Sequence, residues 1–253
     1  MLKQTLMKKI IILFIVAAIS ISCKNEPKKV EKKEDFPNEL AKVFEKHGGI
    51  QSWREQQTLS FTKEVEVHTI DLHSRKSVIN APTYSLGFDG KEVWLSQKDS
   101  TSFKGNKDFY HNLYFYFYAM PFVLADDGIV YEASKPLVFE GKSYPGIKIS
   151  FKANTGSSPD DNYYLYYNPD TFQMEWLEYS VTFYSKKASE KVSTIRYNDW
   201  VDVDGFLLPK SLTWYKKDEK GVTTEPSRPA TEFTNVVLSK EKQDENSFYK
   251  PNE

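Results

Sequence analysis

Four histidines, His47, His68, His73 and His111, are the side chains best suited to hold a metal or move a proton near neutral pH. None stands in the His-Glu-x-x-His spacing that places two imidazoles on one helix face. His68 and His73 are five residues apart and are expected at a strand end, where a surface polar residue is the competing reading. No metal site and no cofactor are expected. Glu175 and Glu178 flank Trp176, and paired acids beside an aromatic ring are the equipment of glycoside hydrolysis. Adjacency in sequence fixes no separation in space, however, and solvated strand faces commonly carry Glu. Gly141-Lys142-Ser143 copies the end of a phosphate loop, but Pro136 occupies the place of its first glycine, and both flanks read as strand. Asp202-Val203-Asp204-Gly205 has the look of a calcium loop whose first and last ligand positions would be Trp200 and Ser211, which do not serve. It reads instead as a hairpin turn. There is no Gly-x-Ser-x-Gly elbow. No catalytic residue is assigned, and a non-enzymatic protein is expected.

Cys23 is the single cysteine, so an intramolecular disulfide is impossible. It follows a basic stretch with Lys3, Lys8 and Lys9, the apolar run 10–19, and Ser20-Ile21-Ser22. A basic start, a short apolar run and small residues before a cut describe a secretory signal. The run is too short to span a bilayer, which takes ~20 apolar residues. A thiol directly after it resembles the bacterial lipobox, in which cleavage before cysteine exposes that residue for acylation. Ser20 departs from the leucine commonest at its position. An uncleaved anchor and ordinary secretion with an incidental cysteine are the rival readings. The resemblance implies residues 1–22 as signal peptide and Cys23 as the site of lipid attachment, palmitate among its acyl groups, with the membrane as partner. Several acyl chains on one residue give durable anchoring. Residues 24–35 are almost wholly polar, too much so to bury a core, and read as a flexible tether. Its lysines are offset by Glu26, Glu31, Glu34 and Asp35, which favours a solvated spacer over a lipid-binding patch.

The whole chain of 253 residues has net charge −1, with 34 Lys and Arg against 35 Asp and Glu. Loss of residues 1–22 removes three lysines and no acid. Neither state has the basic surplus that phosphate contacts need, so no nucleic-acid partner is expected. Protein partners are not specified by the sequence. Hydrophobic content of 40% and aromatic content of 15% suit a globular chain rich in strand.

The elements that would position these residues fall between 36 and 253, with no internal repeat and no second linker. Leu40, Val43 and Phe44 recur at helical spacing and Gly48 supplies a stop, so 38–46 is expected to be helix, with a second turn at 50–54. In 61–70, Phe61, Val65 and Val67 alternate with Thr62, Glu64, Glu66 and His68, the pattern of one half-buried strand. Strands are expected at 77–80 and 84–88, with Asp89-Gly90 turning into Val93-Trp94-Leu95. The run 109–122 is apolar on every face and long for a strand. A helix is expected there, then a short one near 122–125, ended by Gly128. Beyond 130 the pattern is strand: 147–151, 163–167, 172–184, 191–201, 206–215 and 228–238. The apolar phase of 172–184 flips, which places a β-bulge near Trp176-Leu177. Residues 240–253 are polar and are expected to fray. Consecutive long strands imply one antiparallel sheet, and the helices are its only available cover. The expected fold is α+β, mainly β: a single curved antiparallel sheet, an unclosed half-barrel, with helices over the concave face.

Three segments in order, Phe88-Asp89-Gly90-Lys91-Glu92-Val93-Trp94, Tyr167-Asn168-Pro169-Asp170-Thr171 and Asp204-Gly205-Phe206-Leu207-Leu208-Pro209, resemble hairpins of the LolA/LolB-like superfamily of outer-membrane lipoprotein-sorting proteins. His47-Gly48-Gly49 with Trp53, and the run 111–122, resemble a branch of bacterial envelope lipoproteins of that superfamily. The resemblance covers most of 36–238. It implies a helix-plugged half-barrel and a hydrophobic cavity for acyl chains; LolA proper is soluble in the periplasm, and Cys23 departs from it by implying a lipid anchor, as in LolB, with the outer membrane expected. No residue match carries over a lipoprotein-transfer role.

Tyr114, Phe117, Tyr118 and Phe122 from the helical insert, with Trp94, Trp176 and Trp214 from strands, are the candidate ligand-binding residues. They line an apolar cavity or simply form the core, since aromatics dominate cores generally. The abundance of Tyr over Leu favours a pocket, because buried hydroxyls need partners. The expected function is therefore binding of a hydrophobic ligand, a lipid or lipoprotein acyl chain. The alternative is a surface lipoprotein that binds carbohydrate or a protein partner.

Overall fold

In the computed structural model, residues 36–152, 160–185, 187–189 and 191–251 are described. The expected signal peptide, acylation site and tether lie outside them. Helix α1 (Asn38–Lys46) buries Leu40, Val43 and Phe44, the three residues its periodicity marks. Gly48 and Gly49 hold φ of 113° and 85° and turn the chain into α2 (Ile50–Arg54), which buries Trp53. A side chain at Gly48 would put Cβ 2.6 Å from the Gly205 carbonyl oxygen, so glycine permits this close approach.

The stretch expected as one strand over 61–70 is a hairpin. β1 (Thr58–Lys63) turns at Glu64, whose φ is 54°, and returns as β2 (Glu66–Asp71). Val65 and Val67 are left exposed, while Glu66 and His68 are buried. The turn reverses the alternation on which the one-strand reading rested. β3 (Ser77–Asn80), β4 (Tyr84–Phe88) and β5 (Val93–Gln97) continue as a meander. The aromatic run then forms α3 (Lys107–Tyr110) and α4 (Leu113–Tyr118), followed by a 3-10 turn at Phe122–Ala125. Asn106 caps α3 by accepting from the Phe109 N–H.

The second flank comprises β6 (Ile129–Phe139), β7 (Lys142–Phe151), β8 (Tyr163–Tyr167), β9 (Met174–Tyr179), β10 (Ser193–Val203), β11 (Phe206–Lys217), β12 (Thr223–Pro226) and β13 (Thr231–Ser239). The strand order is β5-β4-β3-β2-β1-β13-β11-β10-β9-β8-β7-β6, with β12 on β11 and β5 and β6 at the two free ends. Every pairing is antiparallel. The sheet does not close into a barrel. β13 joins the flanks, pairing with β11 at Thr231 and Glu232 and with β1 from Phe233 onward.

The bulge expected near Trp176-Leu177 falls at Glu175. Tyr166 opposes Trp176 while the next residue, Tyr167, opposes Met174, so one residue of β9 is extra. Strand β9 also stops at Tyr179 rather than running to 184. The C-terminal stretch does not fray throughout: Glu245–Phe248 forms a 3-10 turn and Phe248 is buried. An aromatic in an otherwise polar tail is the reason.

The main core lies between the concave sheet face and the helices. Leu59, Phe61, Ile149, Leu165, Ile195 and Leu212 of the strands meet Phe44, Trp53, Phe117 and Tyr118. Trp53 stacks on Phe122 with centroids 4.3 Å apart and planes 5° apart. Two smaller clusters lie apart from it, one around Trp176 and one around Trp94 and Phe248. All three are built from residues between Phe36 and Phe248, so this segment carries its own core.

Candidate functional site

Where the two short helices leave the sheet incompletely covered, a half-open cavity of about 540 Å³ remains. Ile70, Ser77, Phe88 and Val93 form its wall on the β2–β5 flank, and Phe151, Tyr163, Tyr179 and Phe183 the wall on the β7–β9 flank. Phe109, Leu113, Phe115, Tyr116 and Phe117 close it from the helices. The two walls belong to opposite ends of the strand order, so only folding of the whole sheet brings them together.

Of the candidate residues named from sequence, Phe117 lines this cavity. Tyr114, Tyr118, Phe122 and Trp214 are buried in the main core, to which Phe117 also belongs. Tyr118 packs on Phe61 and Phe233, at centroid distances of 4.4 and 4.7 Å. Trp214 donates from Nε1 to the Tyr179 hydroxyl at 3.0 Å, so it supports a cavity residue from behind. Trp94 belongs to the Phe248 cluster and donates to the Phe248 carbonyl at 2.8 Å. Trp176 belongs to the third cluster, with Phe139 and Tyr144. The structure thus gathers five of the seven candidates in one core and sets Trp94 and Trp176 elsewhere.

The polar rim was not marked by the sequence. Arg75, with φ of 63°, sits just before β3 and pairs through Nη2 with Asp126 at 2.5 Å, across the cavity edge. Its guanidinium also lies 5.1 Å from the Phe115 ring centre. Burial pushes the Asp126 carboxyl up from the ordinary range, and Arg75 opposes that shift. Asp108, His111, Asp127 and Asp161 add further polar groups to the lining, and burial lowers the His111 imidazole. Arg75 precedes β3 and has a left-handed φ, so strand alternation does not mark its direction, and Asp126, its partner, lies far off in sequence.

Beside the cavity, α3 is tied to the sheet through a buried charged cluster. Glu66 accepts from Tyr84 at 2.6 Å, from Tyr110 at 2.9 Å and from His68 Nε2 at 3.1 Å, and Lys63 lies at 3.4 Å. Burial pushes the Glu66 carboxyl up, but these donors outweigh it and hold the group at about 2. Burial lowers His68, against the pull of Glu66, so the neutral ring donates from Nε2. His68 is thus a core residue rather than the surface one expected. His47 is buried as well: it lies against the Leu207 carbonyl at 3.0 Å through Nδ1 and accepts the Met174 N–H at 3.1 Å through Nε2. His73 is exposed, as a surface polar residue should be.

The Asp202–Gly205 segment is a hairpin turn between β10 and β11, with the Gly205 N–H donating to Asp202 Oδ1 at 3.1 Å. Gly141 turns β6 into β7 at φ of 77°, strand into strand rather than strand into helix. Glu175 and Glu178 have separate surroundings. Glu175 accepts from Asn168 at 2.9 Å, whereas Glu178 pairs with Lys217 at 2.5 Å and accepts from Tyr166.

This architecture defines a class: an open antiparallel half-barrel with helices packed on its concave face and a cavity beside the helical insert. The chain belongs to DUF6503, a family of unknown function, whose model matches residues 20–220. A sequence search among curated proteins finds no match. Among solved structures, the chain is similar to a LolA superfamily protein from Nitrosomonas europaea at 9% identity and TM-score 0.41, covering 82% of this chain and 96% of that one. It is similar to a DUF1329 family protein from Desulfovibrio piger at 8% identity and TM-score 0.42, with 77% and 90% covered. It is also similar to a domain named for outer membrane lipoprotein sorting from Vibrio parahaemolyticus, at 8% identity and TM-score 0.36, with 81% and 96% covered.

Proposed function

We propose that this chain is a lipid-anchored protein of the bacterial envelope that binds a hydrophobic ligand, a lipid or an acyl chain, without chemistry on it. The observation that carries the reading is the cavity: about 540 Å³, with apolar and aromatic residues on each wall and fewer polar ones, Arg75, Ser77 and Asp126 among them. Small-molecule sites span ~300–1,000 Å³ and pair such walls with a few placed polar groups. Each methylene moved from water into such a site contributes ~0.8 kcal/mol, so a chain of about eight gains ~6 kcal/mol before the cost of ordering it. Cys23, acylated, holds the domain at the membrane, most simply the outer membrane, and residues 24–35 give it reach. No helix among the described residues is long and apolar enough to cross a bilayer.

The test is lipid extraction and mass spectrometry on residues 36–253, produced without the N-terminal segment. Stoichiometric lipid or fatty acid, lost on substitution of Phe117 or Leu113 by Asp, is the expected result. A folded domain that carries no lipid and takes up no fluorescent acyl probe overturns the reading.

A further inference from the structure

Three tyrosines on two walls of the cavity are arranged around one region of it. Tyr163 of β8 is the cross-strand partner of Ile149 of β7 and of Tyr179 of β9, so its side chain stands with theirs on the concave face. The rings of Tyr163 and Tyr179 lie side by side, with centroids 6.3 Å apart and planes within 20°. Tyr116 lines the same cavity from α4. The Tyr179 hydroxyl is engaged, since Trp214 Nε1 donates to its oxygen at 3.0 Å. Those of Tyr116 and Tyr163 have no hydrogen-bond partner among the described residues. The Tyr118 hydroxyl also lacks one but is fully enclosed, whereas the Tyr116 and Tyr163 hydroxyls keep accessible surface. A tyrosine in so apolar a setting ordinarily finds a partner for its hydroxyl.

The chemistry of these groups narrows the ligand. Burial raises both hydroxyls above the ordinary range. Asp161, Tyr116 and Tyr179 add to the shift at Tyr163, so the three hydroxyls lie near one another. Asp161 itself accepts the Thr182 N–H at 2.6 Å. At Tyr116, Arg75 and Asp126 pull in opposite directions. Both phenols are uncharged at neutral pH, and a neutral phenol gives one hydrogen bond and accepts another. The group that matches such a pair also gives and accepts, and carries no charge that would have to be desolvated. A hydroxyl meets both conditions. A halide or a methyl end leaves both tyrosines unpaired.

We infer that Tyr116 and Tyr163 form a subsite for a hydroxyl group, and that the ligand is an apolar chain carrying an uncharged hydroxyl. This rests on the ligand-binding reading above and specifies the polar group of the ligand. The two tyrosines act through binding alone and perform no bond-making step.

The experiment uses residues 36–253, a neutral naphthylamine dye as cavity reporter, and 1-octanol and 1-chlorooctane as competitors, on wild type, Tyr163→Phe and Tyr116→Phe. Each variant is expected to bind octanol ~3–10-fold more weakly, the worth of one neutral hydrogen bond, with chlorooctane and dye affinities and Tm unchanged. Octanol affinity equal to wild type in both variants means that water alone meets these hydroxyls, and overturns the inference. So does a parallel loss of octanol and chlorooctane, which marks a packing role. In both cases dye uptake by the wild type leaves the cavity reading standing. A wild-type domain that takes up no dye at all defeats both.

Discussion

Acidification should loosen this fold in part through one buried ring, that of His47. His47 has no exposed surface, and its two nitrogens join three elements: Nδ1–H donates to Leu207 of β11, Nε2 accepts from Met174 of β9, and the residue itself ends α1. Protonation adds a hydrogen where Nε2 must accept and buries a charge. Burial chiefly, with Lys46 adding to it and the Leu207 carbonyl opposing, lowers the group from 6.5 to about 4. A folded-state value below the unfolded one means that the stabilisation is complete above about pH 6.5. It is lost as pH falls from there toward 4. Each tenfold change in proton affinity between the unfolded and folded chain is worth ~1.4 kcal/mol, so the loss approaches ~3 kcal/mol at the acid end and is ~2 kcal/mol near pH 5. The assay is urea unfolding at about pH 7.5 and pH 5, on wild type and His47→Gln. His68 shifts in the same direction and contributes to both proteins. The variant should be less stable at neutral pH and should lose ~2 kcal/mol less than wild type on acidification. Equal losses in the two proteins would refute the reasoning.

The other expectations rest on single contacts. Gly87→Ala places Cβ 2.3 Å from Cζ2 of Trp94 and 2.9 Å from the Ser77 carbonyl oxygen, so it should cost ~1–3 kcal/mol. Hydrogen exchange should then rise at 245–248, because displaced Trp94 releases the Phe248 carbonyl. Tyr118→Phe removes a buried hydroxyl with no partner among the described residues, so thermal unfolding should show Tm unchanged or raised; a fall of several degrees would contradict this. Glu66→Gln should destabilise by ~2 kcal/mol or more, since it leaves buried Lys63 with only the exposed Glu64 as a charged partner and weakens the acceptors of Tyr84 and Tyr110. The Glu66 contribution is present above about pH 4.5 and vanishes as pH falls toward 2, so the difference between variant and wild type should close over that interval.

Much of the architecture was legible because strand and turn chemistry is local. Helix 38–46 and strands 77–80, 84–88 and 163–167 follow directly from spacing and flanking Gly, Pro and Asp. The misreadings share one physical cause. Alternation assigns residues to faces only relative to an unbroken strand, and β1–β2 is broken at Glu64, a residue without the usual signature of a left-handed turn. Beyond that turn the faces exchange, which exposes Val65 and Val67 and buries Glu66 and His68. The short β12 and the tail turn were missed because their stability comes from long-range pairing with β11 and from Trp94, not from their own composition.

The site was less legible than the fold, and the bulge at Glu175 shows why. Met174 and Trp176 are two apart and would share a face in a regular strand. Their partners on β8, Tyr167 and Tyr166, are adjacent, so Glu175 is extra, and Met174 enters the main core and Trp176 the cluster of Phe139 and Tyr144. A shift of a single residue thus separates a tryptophan from the concave face. The cavity itself is a shortfall of packing: it exists where α3 and α4, broken at 111–112, leave Phe109 and Phe117 short of a continuous seal between Phe88 on one flank and Tyr163 on the other. Composition announces that there is aromatic material enough for a core. Whether that material fills the half-barrel depends on where the insert ends against two distant walls. A change that lengthens the α4 contact, such as Leu113→Trp, should therefore trade ligand capacity for stability, lowering dye uptake while leaving the sheet intact.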